Sequence, residues 1–194
     1  AYTDFLRERF KDVAVIKYPK ETGLFHRAKD RFQKDPSYRD YTEVIDEVWF
    51  FFDVEKKDID KWDERYQIIK FLRKMRKDKD VRVRLLMTTG CIEYWLMLHR
   101  KYYTPSIQTA TEKGKIIADL KSEEPLYEKG NKEITMKIAK DYPVAKQNAK
   151  RTVANLLNEG LPGIEDTDDR NQWLCKNCKT FSTVYESIEY LESL

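Results

Sequence analysis

A five-residue apolar run, Val48 to Phe52, constrains the fold of this chain more than any other feature. Both alternating faces of the run are apolar, which is typical of a strand buried between two layers and not of an antiparallel strand with one wet face. The run ends abruptly on Asp53, and Glu55 follows two residues later. Ligands and catalytic groups gather beyond the carboxyl ends of strands in open parallel sheets. The two carboxylates therefore mark either a site for a hard cation such as Mg²⁺ or Mn²⁺, or simply the point where the chain meets water.

Apolar periodicity in the N-terminal half of the chain alternates between strand and helix. Besides the run at 47–53, short strands are predicted over 13–18 and 81–90, and helices with one apolar stripe over 2–11, 22–34, 58–78 and 91–103. Strands and helices that are joined by short links in this order are typical of right-handed βαβ crossovers. The sequence therefore predicts an α/β fold, with a mostly parallel sheet flanked by helices.

Beyond Pro105 the pattern becomes helical. Apolar stripes at steps of three or four residues recur as far as Leu157, among many Lys and Glu residues. The stretch 158–172 is predicted to be a loop by its Gly, Pro and acidic content, and a last helix is predicted over 182–194. We therefore divide the chain into an α/β core over 1–104 and a helical region over 105–194 that packs on the core.

The overall composition sets broad limits on function. The 194 residues suffice for one domain with a real core, and no apolar run approaches the roughly 18–20 residues of a membrane span. Lys plus Arg outnumber Asp plus Glu by 37 to 34, so the net charge of +3 permits a nucleic-acid partner without requiring one. Three cysteines fit a reducing compartment better than a secreted, disulfide-built domain. We expect a cytoplasmic protein.

Glu93 and His99 are candidate site residues on the helix predicted over 91–103. They are six residues apart, so they point about 120° away from one another and do not pair on one ligand. His99 shares a helix face with Trp95, which favours a buried, hydrogen-bonded histidine, and Glu93 lies in the first helical turn, where the helix dipole alone favours a carboxylate. Both residues therefore have a structural interpretation beside the catalytic one.

A single CxxC motif joins Cys175 to Cys178. A structural zinc ion needs four ligands, and the remaining Cys and His residues are not spaced as a second pair. A redox CxxC is expected at a helix start within a thioredoxin-like unit, which is missing here. Zinc binding and redox chemistry are therefore both weakly supported.

Basic residues recur along the helix predicted before Leu157, at Lys140, Lys146, Lys150 and Arg151. This pattern suits contact with a nucleic-acid phosphate backbone, but it also suits an ordinary solvated helix face in a highly charged chain. The sequence contains no Ser-His-Asp set, P-loop, dinucleotide-binding glycine pattern or HExxH motif.

Three stretches together resemble the RloB-like (AbiLii-like) proteins: the strand DEVWFFFDVE, the long helix after it, and the segment LLMTTGCIEYWLMLHRKYY. The central pattern of that family is an acidic-ended strand followed by a Ser-Asn-Pro-Cys-Phe-Glu-x-Trp-Leu-Leu-His-type segment. The positions that match this segment are Cys91, Glu93, Trp95, Leu96, Leu98 and His99. The later stretches AKQNAKRTV and NCKTFSTVYESIEYL are also similar, so the resemblance spans most of residues 40–194.

The resemblance implies a Toprim-like fold, in which an upstream Glu and a strand-end Asp-x-Asp hold Mg²⁺ for phosphodiester chemistry. Asp53 matches the first Asp and Glu55 replaces the second, so these two residues would hold Mg²⁺ or Mn²⁺. Glu93 is then a further candidate carboxylate, and His99 is a candidate acid/base or a structural residue. In the family a strand and a Glu-bearing turn precede the helix at 2–11, and we expect both, with the first metal ligand, to be missing here.

Two hypotheses of function follow from the resemblance. The family is associated with bacterial phage defence and abortive infection, often beside an AAA-type ATPase, so the first is a Mg²⁺-dependent nuclease that acts on DNA or RNA. The second is a non-catalytic subunit whose helical region at 105–157 docks on the ATPase. A third class, a zinc-dependent binding protein built on Cys175 and Cys178, would require stoichiometric zinc in the purified protein.

Overall fold

The computed structural model describes residues 1–18, 24–177 and 179–194. Its strands are β1 (Glu47–Val54) and β2 (Arg82–Thr89). Its α-helices are α1 (Tyr2–Arg9), α2 (Leu24–Lys34), α3 (Pro36–Arg39), α4 (Trp62–Arg73), α5 (Ile92–Leu98), α6 (Ala110–Glu123), α7 (Lys132–Ala139), α8 (Tyr142–Asn155), α9 (Asp168–Lys176) and α10 (Tyr185–Glu192). Two 3₁₀-helices, Lys56–Lys61 and Leu156–Glu159, lie directly before α4 and after α8.

The two strands form a parallel sheet, which confirms the α/β fold. Phe50 pairs with Leu85 and Asp53 pairs with Thr88, so both carboxyl ends lie at one edge of the sheet. The chain crosses from one strand to the next through α4, as a parallel pair requires. Ile69 and Leu72 of α4 are buried in the core, because α4 packs its apolar stripe against β2.

The segment just before α10 lies along the other side of β2. The Thr183 backbone N–H donates to Met87 O at 2.8 Å, and the Thr89 N–H donates to Phe181 O at 3.0 Å. Thr88 and Ser182 form an antiparallel bridge. The strand β2 is therefore bonded on both sides, which fits its almost complete burial.

The helical region packs on the sheet through α5. Every residue of α5 from Glu93 to Leu98 is buried, and this helix packs against both α6 and α8. Small residues on α8, Ala145 and Ala149, allow the close approach. One continuous apolar cluster therefore includes residues from the sheet and from the helices after it. Within the described chain, no helix combines the length and the apolar character needed to cross a bilayer.

Two predictions of local structure are wrong. Residues 14–18 have no regular structure, although their alternation predicted a strand, and Val15 is 85% exposed. Alternation alone does not make a strand, because the backbone also needs a partner to bond. The predicted loop at 158–172 contains the start of α9, where Thr167 Oγ1 accepts a hydrogen bond from the Arg170 N–H. Its acidic residues, Asp168 and Asp169, lie in the first turn, where they complement the helix dipole.

Candidate active site

Asp53 lies one residue before the end of β1, opposite Thr88. Its side chain reaches solvent, yet the surrounding protein removes much of the water that would hydrate its charge. This desolvation, followed by the nearby charge of Glu93, raises the pKa of Asp53 to about 6. Lys113 and Lys129 partly offset the effect. Asp53 therefore carries a carboxylate whose negative charge is poorly compensated.

Glu93 lies in the first turn of α5, and its side chain is 0% exposed. The Tyr127 hydroxyl donates to Glu93 Oε1 at 3.1 Å, and the Lys129 ammonium lies 3.9 Å from the same oxygen. Oε2 is buried and accepts no well-formed hydrogen bond, although the neighbouring Cys91 thiol interacts with the same carboxylate. A buried carboxylate oxygen without a strong donor is costly, so Glu93 is a candidate cation ligand.

The turn between β2 and α5 brings Glu93 to the end of β1. Gly90 adopts φ +75°, and its N–H donates to Val54 O at 3.0 Å. A Cβ on Gly90 would lie 2.4 Å from Ile107 Cγ2, so the backbone passes too close to the loop after α5 for any side chain. The glycine thus lets the start of α5 sit directly against β1.

Glu55 is engaged differently from Asp53. Its carboxylate forms ion pairs with Lys57 and Lys113, and its backbone N–H donates to Asp58 Oδ2 at 3.1 Å. Asp58 is in turn bonded to Arg65 at 2.6 Å. Two lysines therefore neutralise Glu55, whereas the charges of Asp53 and Glu93 are only partly compensated, by Lys113 and Lys129.

The donors at this edge are carboxylate oxygens, the type of ligand that a hard cation prefers. No cluster of three or more His, Cys, Asp or Glu side chains suited to a metal occurs in the described part of the chain. Mg²⁺, however, is commonly held by one or two carboxylates and several waters. Asp53 and Glu93 offer that number of carboxylates, and Glu55 stays a predicted ligand that would first have to leave its lysines.

His99 lies at the other end of α5 from Glu93, buried at 2% exposure. Its Nδ1–H donates to Trp95 O at 2.9 Å, so Nε2 is the acceptor for the Tyr2 hydroxyl at 3.2 Å. Burial is the main reason that the pKa of His99 is lowered to about 4. The residue is thus a neutral, fully bonded part of the core, and the structure does not bring it to Asp53.

Cysteine chemistry finds little support in the geometry. The Cys91 thiol is buried, and desolvation with the charge of Glu93 raises its pKa to about 12. Cys175 is also buried, with Sγ 3.4 Å from Met87 Sδ, and desolvation raises its pKa to about 12. Neither thiol is poised as a thiolate at neutral pH. The second cysteine of the CxxC motif, Cys178, lies outside the described residues.

The basic residues of the predicted nucleic-acid contact are spread over two helices. Lys146 and Lys150 on α8 pair with Glu192 and Glu189 of α10, at 2.5 and 2.6 Å. Their charges are therefore partly neutralised within the protein. Lys140 lies exposed at the end of α7.

Arg151, the fourth of these basic residues, is engaged with an aromatic ring instead of a carboxylate. Its guanidinium carbon lies 4.1 Å from the ring centroid of Tyr102. This contact leaves the positive charge of Arg151 uncancelled, and it gives the residue a role that the sequence pattern did not indicate.

A buried charge network was not predicted from the sequence. Arg170 on α9 is 0% exposed and donates to Glu186 of α10 at 2.5 Å and to Asn171 at 2.8 Å. Asp166 accepts from Arg170 and from Arg82, which ties α9 to the start of β2. The only sequence signal was the polar cluster DTDDRN, which resembles an ordinary acidic loop. This network holds the last two helices on the sheet and lies away from the carboxyl ends of the strands.

Comparison with protein families places this arrangement in context. The family model described as RloB-like protein matches residues 5–191. The chain belongs to the RloB-like family. The match covers both the sheet and the helical region of this RloB-like protein, so it agrees with the resemblance read from the central strand and α5. No curated protein and no solved structure gives a significant match.

Proposed function

We propose that this RloB-like protein is a Mg²⁺- or Mn²⁺-dependent enzyme that cleaves phosphodiester bonds in nucleic acid, on a Toprim-like scaffold. The observation that carries the proposal is the electrostatic coupling of Asp53, at the carboxyl end of β1, to Glu93, whose buried Oε2 accepts no well-formed hydrogen bond. Poorly compensated carboxylates in such a position attract a divalent cation.

Individual residues have distinct roles in the proposed metal and phosphate binding. Asp53 and Glu93 hold the cation, and Tyr127 fixes Glu93 by donating to its other oxygen. A bound divalent cation supplies Lewis-acid activation of the phosphate and of a water molecule. Lys113 and Lys129 lie close enough to lower the pKa of Asp53, so they also add positive potential for a phosphate group.

The biological setting follows from family membership. RloB-like proteins are associated with bacterial defence against phage, often beside an AAA-type ATPase, and we propose the same context for this chain. The enzyme would then be the effector that a partner ATPase controls, with the helical region at 105–157 as the docking surface. Co-expression with a candidate AAA-type ATPase, followed by affinity purification, tests this part of the proposal separately.

Metal binding is tested by thermal unfolding with and without millimolar Mg²⁺ or Mn²⁺, for the wild type and for Asp53→Asn, Glu93→Gln and Glu55→Gln. A ligand that binds only the folded state at 100 times its Kd stabilises by about 2.7 kcal/mol. We expect the wild type to be stabilised, Asp53→Asn and Glu93→Gln to lose the response, and Glu55→Gln to keep it. Cleavage of labelled single-stranded and duplex oligonucleotides with the same variants tests the chemistry.

Two results would contradict the proposal. One is a wild type whose unfolding temperature is indifferent to both metals, which would move the search to a protein partner. The other is loss of the metal-induced stabilisation in Glu55→Gln with its retention in Glu93→Gln. That result would show that Asp53 and Glu55, and not Glu93, bind the metal. The substitutions preserve side-chain shape, so circular dichroism should show folded protein in every case.

A further inference from the structure

A cleft lies near the same edge of the sheet. Its volume is about 340 Å³, within the size range of small-ligand pockets. Its walls are the loop after α5, the end of α8 and the segment after α9. The lining residues used below are Tyr102, Ser106, Asn155, Glu159, Lys179 and Thr180.

Hydrogen bonds connect the cleft to the strand ends. Thr89 Oγ1, at the end of β2, donates to Lys179 O at 2.6 Å, and Thr180 Oγ1 donates to Pro105 O at 2.6 Å. The loop that forms one wall also packs Ile107 against Gly90, in the turn that leads to Glu93. The wall of the cleft therefore contacts the same turn that leads to Glu93.

One lining residue of the cleft, Tyr102, presents an aromatic ring that two neighbours hold in place. The Asn155 side-chain N–H donates to the Tyr102 hydroxyl at 2.7 Å, and the guanidinium of Arg151, which does not line the cleft, lies over the Tyr102 ring. Aromatic rings and guanidinium planes are the surfaces on which unpaired nucleobases stack.

Most of the other lining residues are polar, beside the apolar Pro105 and Leu156. Ser106 supplies a hydroxyl that also bonds Glu112, and Asn155 supplies an amide, and both groups can hydrogen-bond the edge of a base. Lys179 pairs with Glu159 at 2.5 Å at the rim, so the cleft offers little net positive charge to an isolated phosphate. These features favour a planar, polar ligand over an anion or an apolar chain.

We propose that this cleft binds one unpaired nucleobase of a single-stranded nucleic acid whose phosphodiester backbone continues towards Asp53 and Glu93. The inference rests on the proposed function and adds the substrate class: single-stranded RNA or DNA, or a strand whose base has left the duplex. Stacking on the Tyr102 ring, which Arg151 and Asn155 hold in place, binds the strand without a metal ion, so strand binding and metal binding are separable.

The test measures binding without metal. Fluorescence anisotropy of short labelled single strands and of the matching duplexes, in EDTA, compares the wild type with Tyr102→Leu, Arg151→Ala, Lys101→Ala and Glu93→Gln. We expect Tyr102→Leu and Arg151→Ala to weaken single-strand binding by roughly tenfold or more. Lys101→Ala is the matched control, because Lys101 is next to Tyr102 in the chain but pairs with Glu123, and it should change affinity less than about twofold.

Glu93→Gln separates this inference from the proposed function. We expect it to bind single strands as the wild type does while it loses the response to metal. Unchanged single-strand binding by Tyr102→Leu, or equal affinity for duplex and single strand, would overturn the cleft proposal and leave the metal site standing. Loss of binding in Tyr102→Leu, with a wild type that ignores metal, would support the cleft and refute the metal-dependent chemistry. Circular dichroism of Tyr102→Leu, whose side chain is only half-buried, checks that it folds.

Discussion

The buried carboxylate of Glu93, at the start of α5, repels the carboxylate of Asp53 at the end of β1. Desolvation and this repulsion together raise the pKa of Asp53 to about 6, and the two nearest lysines do not cancel the effect. Like charges held together in a folded protein store a repulsion that a proton or a cation relieves. The relationship therefore has consequences for stability as well as for metal binding.

Asp53→Asn should make the protein more stable at neutral pH. Because the folded-state pKa of Asp53 is raised above its unfolded value, its favourable contribution is present at low pH and is lost as pH rises through about 6. Asparagine keeps the neutral form at every pH. We expect the unfolding temperature to rise at pH 7.5, by less than about 4 °C because the side chain is exposed, and not at pH 4.

The direction in which Asp53→Asn shifts the unfolding temperature distinguishes repulsion from favourable contacts at Asp53. A variant that is destabilised at pH 7.5 would show that Asp53 is held by favourable partners and is not repelled by Glu93. Saturating Mg²⁺ should stabilise the wild type and not the variant, so the gap between them should narrow as metal is added. Thermal melts at both pH values, with metal and with EDTA, measure each of these quantities.

His99 should give the opposite pH dependence. Its pKa is lowered to about 4 by burial, so the unfolded chain binds a proton that the folded protein rejects. Stability should therefore fall as pH falls from about 6.5 to 4, by an amount of the order of 3 kcal/mol from this residue alone. His99→Asn, which can still donate to Trp95 O, should be less stable throughout but show a flatter pH profile.

Urea denaturation at several pH values checks this prediction. The informative quantity is the slope of the free energy of unfolding against pH, since the substitution also removes packing. A slope that is unchanged in His99→Asn would show that His99 is not the group that takes up the proton. The activity of a folded His99→Asn protein on oligonucleotides should persist, because the side chain does not reach Asp53 or Glu93.

The sequence predicted the parts of this fold that repeat a simple pattern. The run from Val48 to Phe52 was apolar on both faces, and the structure places it in a parallel sheet whose carboxyl end carries Asp53. The burial between two layers that the run predicted is only partly realised, because Phe50 is fully buried and the other four residues are partly exposed. The apolar stripe of α4 and the almost wholly apolar α5 were equally clear. What the sequence could not show is which carboxylate joins Asp53 at that end, because the answer depends on where α5 begins relative to β1.

The roles of Glu93, Glu55 and Arg170 could not be predicted from the sequence, for identifiable physical reasons. Glu93 had an adequate local explanation at a helix N-terminus, and only its buried oxygen without a well-formed hydrogen bond distinguishes it in the folded chain. Glu55 followed the metal-binding pattern, yet Lys113, far away in sequence, pairs with it. Arg170 lay in a stretch that is typical of a loop, and its burial is visible only once α10 brings Glu186 to it.

Arg170→Met should be strongly destabilising, because it leaves Glu186 buried without its cation. Removing one member of a buried ion pair costs about 3–5 kcal/mol. Desolvation already raises the pKa of Glu186 even with Arg170 present, so the remaining carboxylate should take up a proton readily. Urea denaturation should show the loss at pH 7.5 and partial recovery at pH 5. The double variant Arg170→Met, Glu186→Gln should also recover stability, and equal loss in single and double variants would contradict the pairing.

Gly90→Ala should damage both the fold and the candidate site. The positive φ of Gly90 costs an L-residue about 1–2 kcal/mol, and the new Cβ would also meet Ile107 Cγ2 at 2.4 Å. Gly114→Ala is the matched control, because a Cβ at Gly114 on α6 meets nothing within 4 Å, and this change should stabilise by up to about 1 kcal/mol.

Adding Ile107→Ala to Gly90→Ala should relieve the clash but not the backbone strain, so the two changes should cost less together than the sum of their separate effects. The same turn positions Glu93, so the stabilisation by Mg²⁺ should weaken in Gly90→Ala and persist in Gly114→Ala. Equal metal responses in the two variants would show that the turn does not set the geometry of the carboxylate pair.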